Sequence, residues 1–155
     1  MIVAGEFAPD FEVNDSFGKK VKLSDFRVKN IALYFYPRDD TPGCTIEACN
    51  FRDDFLAFKK SGIIVLGVSM DEEKSHQRFA KKFSIPFPLL ADANGAVSKK
   101  YGAFGEKSFF GRKIQGTKRK TFLIGKDGKI LHVFEKVDVK MHSKEILGFF
   151  KSIGK

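Results

Sequence analysis

The chain has two cysteines, three histidines and no tryptophan in 155 residues, and each scarcity closes off a class of function. Two cysteines cannot build the multi-bridge framework of a small secreted scaffold. Nor can they close a zinc site alone, because such a site takes four ligands and His76, His132 and His142 show no ligand spacing to them. No metal or other cofactor is expected. Long apolar runs are missing too. The longest, around Ile31 to Tyr36 and Ile63 to Val68, fall far short of the roughly 20 residues of a membrane helix. The first twenty residues carry Glu6, Asp10 and Glu12 and lack the basic start and apolar middle of a secretory signal. Internal repeats, linkers and low-complexity tracts are absent, and 155 residues suffice to bury a continuous core. The sequence therefore predicts one soluble, cytoplasmic domain spanning residues 1–155.

The charge is lopsided, with 28 lysines and arginines against 19 acids and a formal net charge of +9. A nucleic-acid partner would need those cations gathered on one face. Pairs such as Lys19-Lys20, Lys59-Lys60, Lys81-Lys82 and Lys99-Lys100 are instead scattered among acids, as on solvated surfaces. Neither a nucleic-acid nor a membrane partner is expected.

What is present alternates between strand and helix patterns. FEVNDSFGKKVKL, residues 11–23, places two short apolar-alternating runs around a turn at Asp15 to Gly18, and reads as a β-hairpin preceding the main sheet. NIALYFYP, from Asn30, and IIVLGVSM, from Ile63, are near-continuous apolar runs of the kind that form strands buried on both faces. Between them a helix is expected, with Phe51, Phe55 and Phe58 as its core stripe and Gly62 at its C-cap. An amphipathic segment at Glu72 to Phe83, a short strand at Phe87 to Ala91 and a helical stretch near Ala96 to Tyr101 follow. The glycine-rich residues 102–118 lack clear periodicity and read as an exposed functional loop. TFLIGKDGKILHVF then gives two strands joined at Lys126 to Lys129, and a closing helix runs from His142 to Ile153 with Ile146, Leu147, Phe150 and Ile153 on one face. The fold class is α/β, a sheet with helices packed on it.

Both cysteines lie in YFYPRDDTPGCTIEACNFRD, residues 34–53. Cys44 follows a strand and a Thr-Pro-Gly turn, which places it in the first turn of a helix, where free N–H groups and the helix dipole favour a thiolate. Cys49 lies five residues on, so in an intact helix the two Cα atoms stand about 8–9 Å apart, beyond the ~7 Å reach of a disulfide. A static staple is disfavoured, and pairing requires the helix to unwind. Burial as two small apolar side chains remains open at this point.

Pro37, Thr41 and Cys44 reproduce the P-x-x-x-T-x-x-C signature of the peroxiredoxins, and TPGCTIEAC resembles their bacterioferritin-comigratory, or Q-type, subgroup. The likeness runs over nearly the whole chain, through Gly5 to Phe11, KYGAFGEK at Lys100 to Lys107, and RKTFLIGKDGKI from Arg119. It implies a thioredoxin-like fold, with a central mixed β-sheet flanked by helices. It also implies a thiol-dependent peroxidase acting on hydrogen peroxide and organic hydroperoxides. By resemblance Cys44 is peroxidatic and Cys49 resolving, Thr41 hydrogen-bonds within the site, and Arg119 holds the thiolate and the peroxide oxygens. Backbone N–H groups near Gly43 and Cys44 complete the pocket, Glu47 orients Arg119, and Pro37 shields the thiolate from water. Thioredoxin or a similar dithiol is the implied reductant, and the relatives are frequently monomers.

Each residue also has a plainer reading. Thr41 can make a local turn hydrogen bond, Arg119 can be one more surface base beside Lys118 and Lys120, Glu47 can complement the helix dipole, and Pro37 can end a strand. His142 is expected at a helix start, away from the chemistry. Phe104, Gly125 and Val28 depart from the subgroup, which commonly has tryptophan, aspartate and glycine there. The rival activities are a dithiol-disulfide oxidoreductase, whose C-x-x-C spacing is absent, and a non-catalytic basic module that senses oxidants.

Overall fold

The computed structural model describes residues 2–154. Strands β1 (Glu12–Asp15) and β2 (Lys20–Lys22) form the expected hairpin, followed by a 3-10 turn at Leu23–Phe26. Then come β3 (Asn30–Phe35), α1 (Pro42–Asp53), α2 (Phe55–Lys60), β4 (Ile63–Ser69), α3 (Glu73–Phe83), β5 (Leu89–Ala91) and α4 (Ala96–Lys100). The chain continues through β6 (Phe104–Phe109), β7 (Arg112–Thr117), β8 (Lys120–Ile124), β9 (Ile130–Phe134) and α5 (His142–Ser152).

One mixed seven-stranded sheet runs in the order β2-β1-β5-β4-β3-β8-β9. Parallel pairing of β3 with β4 and of β4 with β5 forms its centre, and β1, β8 and β9 pair antiparallel around it. The N-terminal hairpin does not stand ahead of this sheet, as the sequence suggested. It extends the sheet, through β1 against β5.

Strand β3 shows why the apolar run is continuous. Ala32 and Tyr34 point into one core with Tyr36, while Ile31, Leu33 and Phe35 point into the other, and both are covered. The first core holds Phe51, Phe58, Phe79, Phe87, Ile146 and Phe150, from α1, α2, α3, α5 and the segment before β5. The second is built on Leu66, Val68 and Phe122 and closed by α4 and the N-terminal segment through Val97, Tyr101 and Phe11. That segment is tied down by hydrogen bonds from the Tyr101 hydroxyl to the Pro9 carbonyl and from Lys100 Nζ to the Asp10 carbonyl.

Three expectations need correction. The helix carrying the phenylalanine stripe is broken at Asp54 into α1 and α2, which leaves Phe55 only partly buried while Phe51 and Phe58 are fully so. Residues 102–118 are not an irregular loop, because Phe104–Phe109 and Arg112–Thr117 pair as an antiparallel two-stranded sheet. Most of β7 is exposed, so no buried face stamps a period-two pattern on its sequence. Ile153 lies beyond the end of α5 and is exposed, unlike Ile146 and Phe150. Gly62 follows α2 with φ of 71°, the left-handed conformation expected of a C-cap glycine.

Val28 holds φ of 63° in the turn before β3, a conformation that costs a β-branched residue about 1–2 kcal/mol and that glycine adopts freely. No helix among the described residues is long and apolar enough to cross a membrane.

Candidate active site

The chain leaves β3 at Phe35, passes Pro37 and enters α1 after Thr41, with Pro42 at the first helical position, where its missing N–H costs nothing. Cys44 therefore sits in the first turn of α1, buried at 1% exposure. Its Sγ accepts a hydrogen bond from Arg119 Nη2 at 3.2 Å. Register delivers that arginine from 75 residues away, because β8 pairs antiparallel with β3 and sets Lys120 opposite Phe35 at the edge where α1 begins. The surface-base reading of Arg119 is thus set aside.

Gly43 makes this approach possible. A Cβ there would stand 2.7 Å from Arg119 Nη2, so any larger residue would displace the guanidinium. The other arm of the guanidinium, Nη1, donates to Glu47 Oε1 at 3.0 Å. Glu47 lies on the inner face of α1 at 1% exposure, so it is no surface dipole partner. Burial pushes its carboxyl up to about 7, against the Arg119 charge and hydrogen bond, which pull it down. Among the described residues, Glu47 Oε2 and the Tyr34 hydroxyl are the buried side-chain polar atoms without a hydrogen-bond partner. Burial, and after it the charges of Glu47 and Cys44, hold the Tyr34 phenol well above its ordinary value.

Cys49 is half-buried on the same uninterrupted helix, and both thiols are free. Thr41 donates its hydroxyl proton to the Arg38 carbonyl at 3.0 Å, the local turn bond of the plainer reading, which leaves its oxygen able only to accept. Pro37 is half-buried between β3 and this turn. His142 opens α5 as expected. Its Nε2 meets Thr121 Oγ1 at 2.7 Å and its Nδ1 meets Glu145 Oε1 at 3.2 Å, with no bond to either cysteine.

A buried polar cluster without a local sequence signature anchors the turn before Cys44. Asp39 accepts hydrogen bonds from the Tyr36 hydroxyl at 2.6 Å and the Ser75 hydroxyl at 2.7 Å, and faces His76 Nδ1 at 2.8 Å. His76 Nε2 lies 2.9 Å from the Leu90 carbonyl, which can only accept, so that nitrogen carries a proton. Asp71 accepts from the Asp39 N–H at 2.8 Å and the Ser69 hydroxyl at 2.6 Å. Asp39, Asp71 and His76 lie close enough to hold an ion, yet each is already committed to these internal bonds. The nearest sequence signal is the Asp39-Asp40 pair beside the turn.

A free thiol in a helix's first turn, bonded by an arginine from the neighbouring strand on a mixed sheet, defines a thiol enzyme of the thioredoxin-like class. Residues 4–133 match the AhpC/TSA family, and the chain belongs to it. The chain is 43% identical to peroxiredoxin Bcp of Escherichia coli K12 over 148 residues, covering 96% of this chain and 95% of that protein. It is 41% identical to peroxiredoxin Bcp of Bacillus subtilis over 152 residues, with 98% and 97% covered. Among solved structures, a mutant of Xylella fastidiosa PrxQ superposes with a TM-score of 0.93 at 31% identity, over 100% of this chain and 99% of that one. The bacterioferritin comigratory protein of Xanthomonas campestris, described for its alkyl peroxide reduction, gives a TM-score of 0.88 at 33% identity, with 94% and 92% covered. The fold is the thioredoxin-like fold of peroxiredoxins, and the activity is that of a thiol-dependent peroxidase, which requires a peroxide substrate and a thiol reductant.

Proposed function

We propose that Cys44 is the attacking thiol, Cys49 the resolving thiol, and hydrogen peroxide and organic hydroperoxides the substrates. The observation that carries this reading is the 3.2 Å bond from Arg119 to Cys44 Sγ in the first turn of α1. A charged guanidinium and a helix N-terminus both favour the thiolate, the nucleophilic form. The thiolate attacks one peroxide oxygen, the O–O bond breaks, and the departing oxygen leaves as water or an alcohol after taking a proton. Cys44 is left as a sulfenic acid.

Arg119 serves as donor to the peroxide oxygens, Thr41 Oγ1 accepts from the peroxide hydroxyl, and N–H groups at Gly43 and Cys44 face the developing charge. Glu47 holds Arg119 in place, and Pro37 keeps water from the thiolate. The first turns of α1 then unwind, and the Cys49 thiolate attacks Cys44 Sγ and expels hydroxide, which forms the disulfide and water. A dithiol, of which thioredoxin is the type, returns both cysteines to thiols. The enzyme works as one domain, as a monomer, in the cytoplasm.

Rapid mixing of the reduced protein with one equivalent of hydrogen peroxide tests the assignment. Expected are prompt loss of both thiols in the parent, no peroxide consumption by Cys44→Ser, and a trappable sulfenic acid in Cys49→Ser. A Cys44→Ser protein that still consumes peroxide at the parent rate would overturn it.

A further inference from the structure

The stretch KYGAFGEK ends at Lys107, a residue to which the peroxidase reading assigns nothing. It lies on β6, in the segment that folds into the hairpin instead of a loop. Its side chain crosses to the opposite strand, where Nζ donates to the Thr117 carbonyl at 2.8 Å. Gly116 makes room for the crossing, because a Cβ there would stand 3.0 Å from Lys107 Cε. Thr117 is buried at the end of β7, and the next residue, Lys118, is fixed through its N–H to the Ala103 carbonyl. One residue further on is Arg119, whose guanidinium holds Cys44 and Glu47.

The lysine therefore ties down the strand end from which the arginine projects, and its charge lies within the same electrostatic neighbourhood. Burial and the Arg119 charge hold the Lys107 ammonium below its ordinary value, while the Cys44 thiolate pulls it the other way. Among the described residues, Arg119 before β8 bonds the thiol and Glu47 from α1 bonds Arg119, while Tyr34 from β3 and Lys107 from β6 lie within electrostatic reach of the thiol. Of these, Lys107 and Arg119 are the cations.

We infer that Lys107 is a positioning residue for peroxide reduction: bonded across Gly116 to the Thr117 carbonyl, it fixes the segment that aims Arg119 at Cys44 and adds a second positive charge to the thiolate's surroundings. The inference rests on the peroxidase reading of Cys44 for its rate prediction, but its charge component is testable on the thiol alone.

Three variants separate the possibilities. Lys107→Met keeps the length of the side chain and removes both charge and donor. Lys107→Arg keeps both, and Gly116→Ala crowds the crossing while leaving the lysine in place. Each is followed by the second-order rate with hydrogen peroxide and by pH titration of the ultraviolet thiolate absorbance in the Cys49→Ser background. Lys107→Met is expected to react about five- to tenfold more slowly, with its thiolate titration moved to higher pH. Lys107→Arg is expected to recover most of both, and Gly116→Ala to fall between.

Parent-like rate and titration in Lys107→Met would overturn the inference. So would equal slowing in Lys107→Met and Lys107→Arg with the titration unmoved, since that pattern marks a hairpin prop without electrostatic reach. If Lys107→Met does not fold, Gly116→Ala and Lys107→Arg decide on the same two readouts. A parent that fails to consume peroxide would sink the reading of Cys44 instead, while the titration still rules on Lys107.

Discussion

The two halves of helix α1 are held in place by different means. In the first, Pro42 to Cys49, the side-chain hydrogen bonds among the described residues all converge on Arg119, through Cys44 and Glu47. In the second, bonds spread to three separate parts of the fold. Asn50 Nδ2 donates to the Val139 and Lys140 carbonyls at 2.7 and 3.0 Å, and Arg52 Nη1 to the Phe83 carbonyl at 2.8 Å. Just beyond the helix, Asp54 accepts from the Ser143 hydroxyl at 2.7 Å. Phe51 adds an apolar anchor, with ring centroids 4.7 Å from Tyr34 and 6.0 Å from both Phe87 and His142.

On the proposed cycle, a helix that unwinds to pair Cys44 with Cys49, yet keeps the protein folded, needs this asymmetry. The boundary between releasable and fixed halves falls right after Cys49. In that cycle, oxidation of the thiolate to a neutral sulfenic acid would also weaken the ion pair at Arg119, so the chemistry itself would loosen the first half.

The harshest way to break the contrast is Phe51→Ala. It removes a fully buried ring from the anchored half and should cost about 3–5 kcal/mol in denaturant unfolding. Glu47→Gln tests the releasable half through pH. The Glu47 carboxyl binds its proton more tightly in the fold, at about 7, than in the unfolded chain, at its ordinary 4.5. Its stabilising contribution is therefore full below about 4.5 and is lost as pH rises through about 7, a change on the order of 3 kcal/mol. Stability measured by chemical denaturation at stepped pH should fall across that window in the parent and stay flatter in Glu47→Gln.

Arg119→Ala removes the partner on which the first half's side-chain hydrogen bonds converge. It should slow peroxide attack more than tenfold at matched thiolate content, a barrier increase above ~1.4 kcal/mol. An unchanged second-order rate would remove the arginine from the mechanism. The mildest change, Asn50→Ala, should cost about 1 kcal/mol. It sharpens the comparison through hydrogen exchange. Amides of the first half should exchange faster than those of residues 50–54 in the parent, and the difference should shrink in the variant.

Much of this was legible in the sequence, and the limits have physical causes. The buried strands announced themselves because β3 and β4 are covered on both faces, so nearly every residue is apolar. Cys44 and Cys49 were legible through local spacing, and the departure at Val28 marked a turn that does use the left-handed conformation. Arg119 was visible only through the family pattern, because register, not spacing, brings it to Cys44.

What escaped was whatever depends on partners far along the chain or on exposed surfaces. The Asn50 clamp spans 89 and 90 residues, and the Asp39–His76 contact spans 37. The β6–β7 hairpin hides because most of β7 is exposed and two glycines, Gly105 and Gly116, sit opposite each other in its register.

The register of β8 also bears on how the protein comes into being. Both cysteines have left the ribosome's catalytic centre long before residue 119 is added, and the Arg119 guanidinium is held at Cys44 by the pairing of β8 with β3. A nascent or half-folded chain thus carries two cysteines without the cation that sets one of them apart. On the proposed assignment, fast peroxide reduction is expected only once β8 has paired with β3, so its rate would serve as a readout of finished folding.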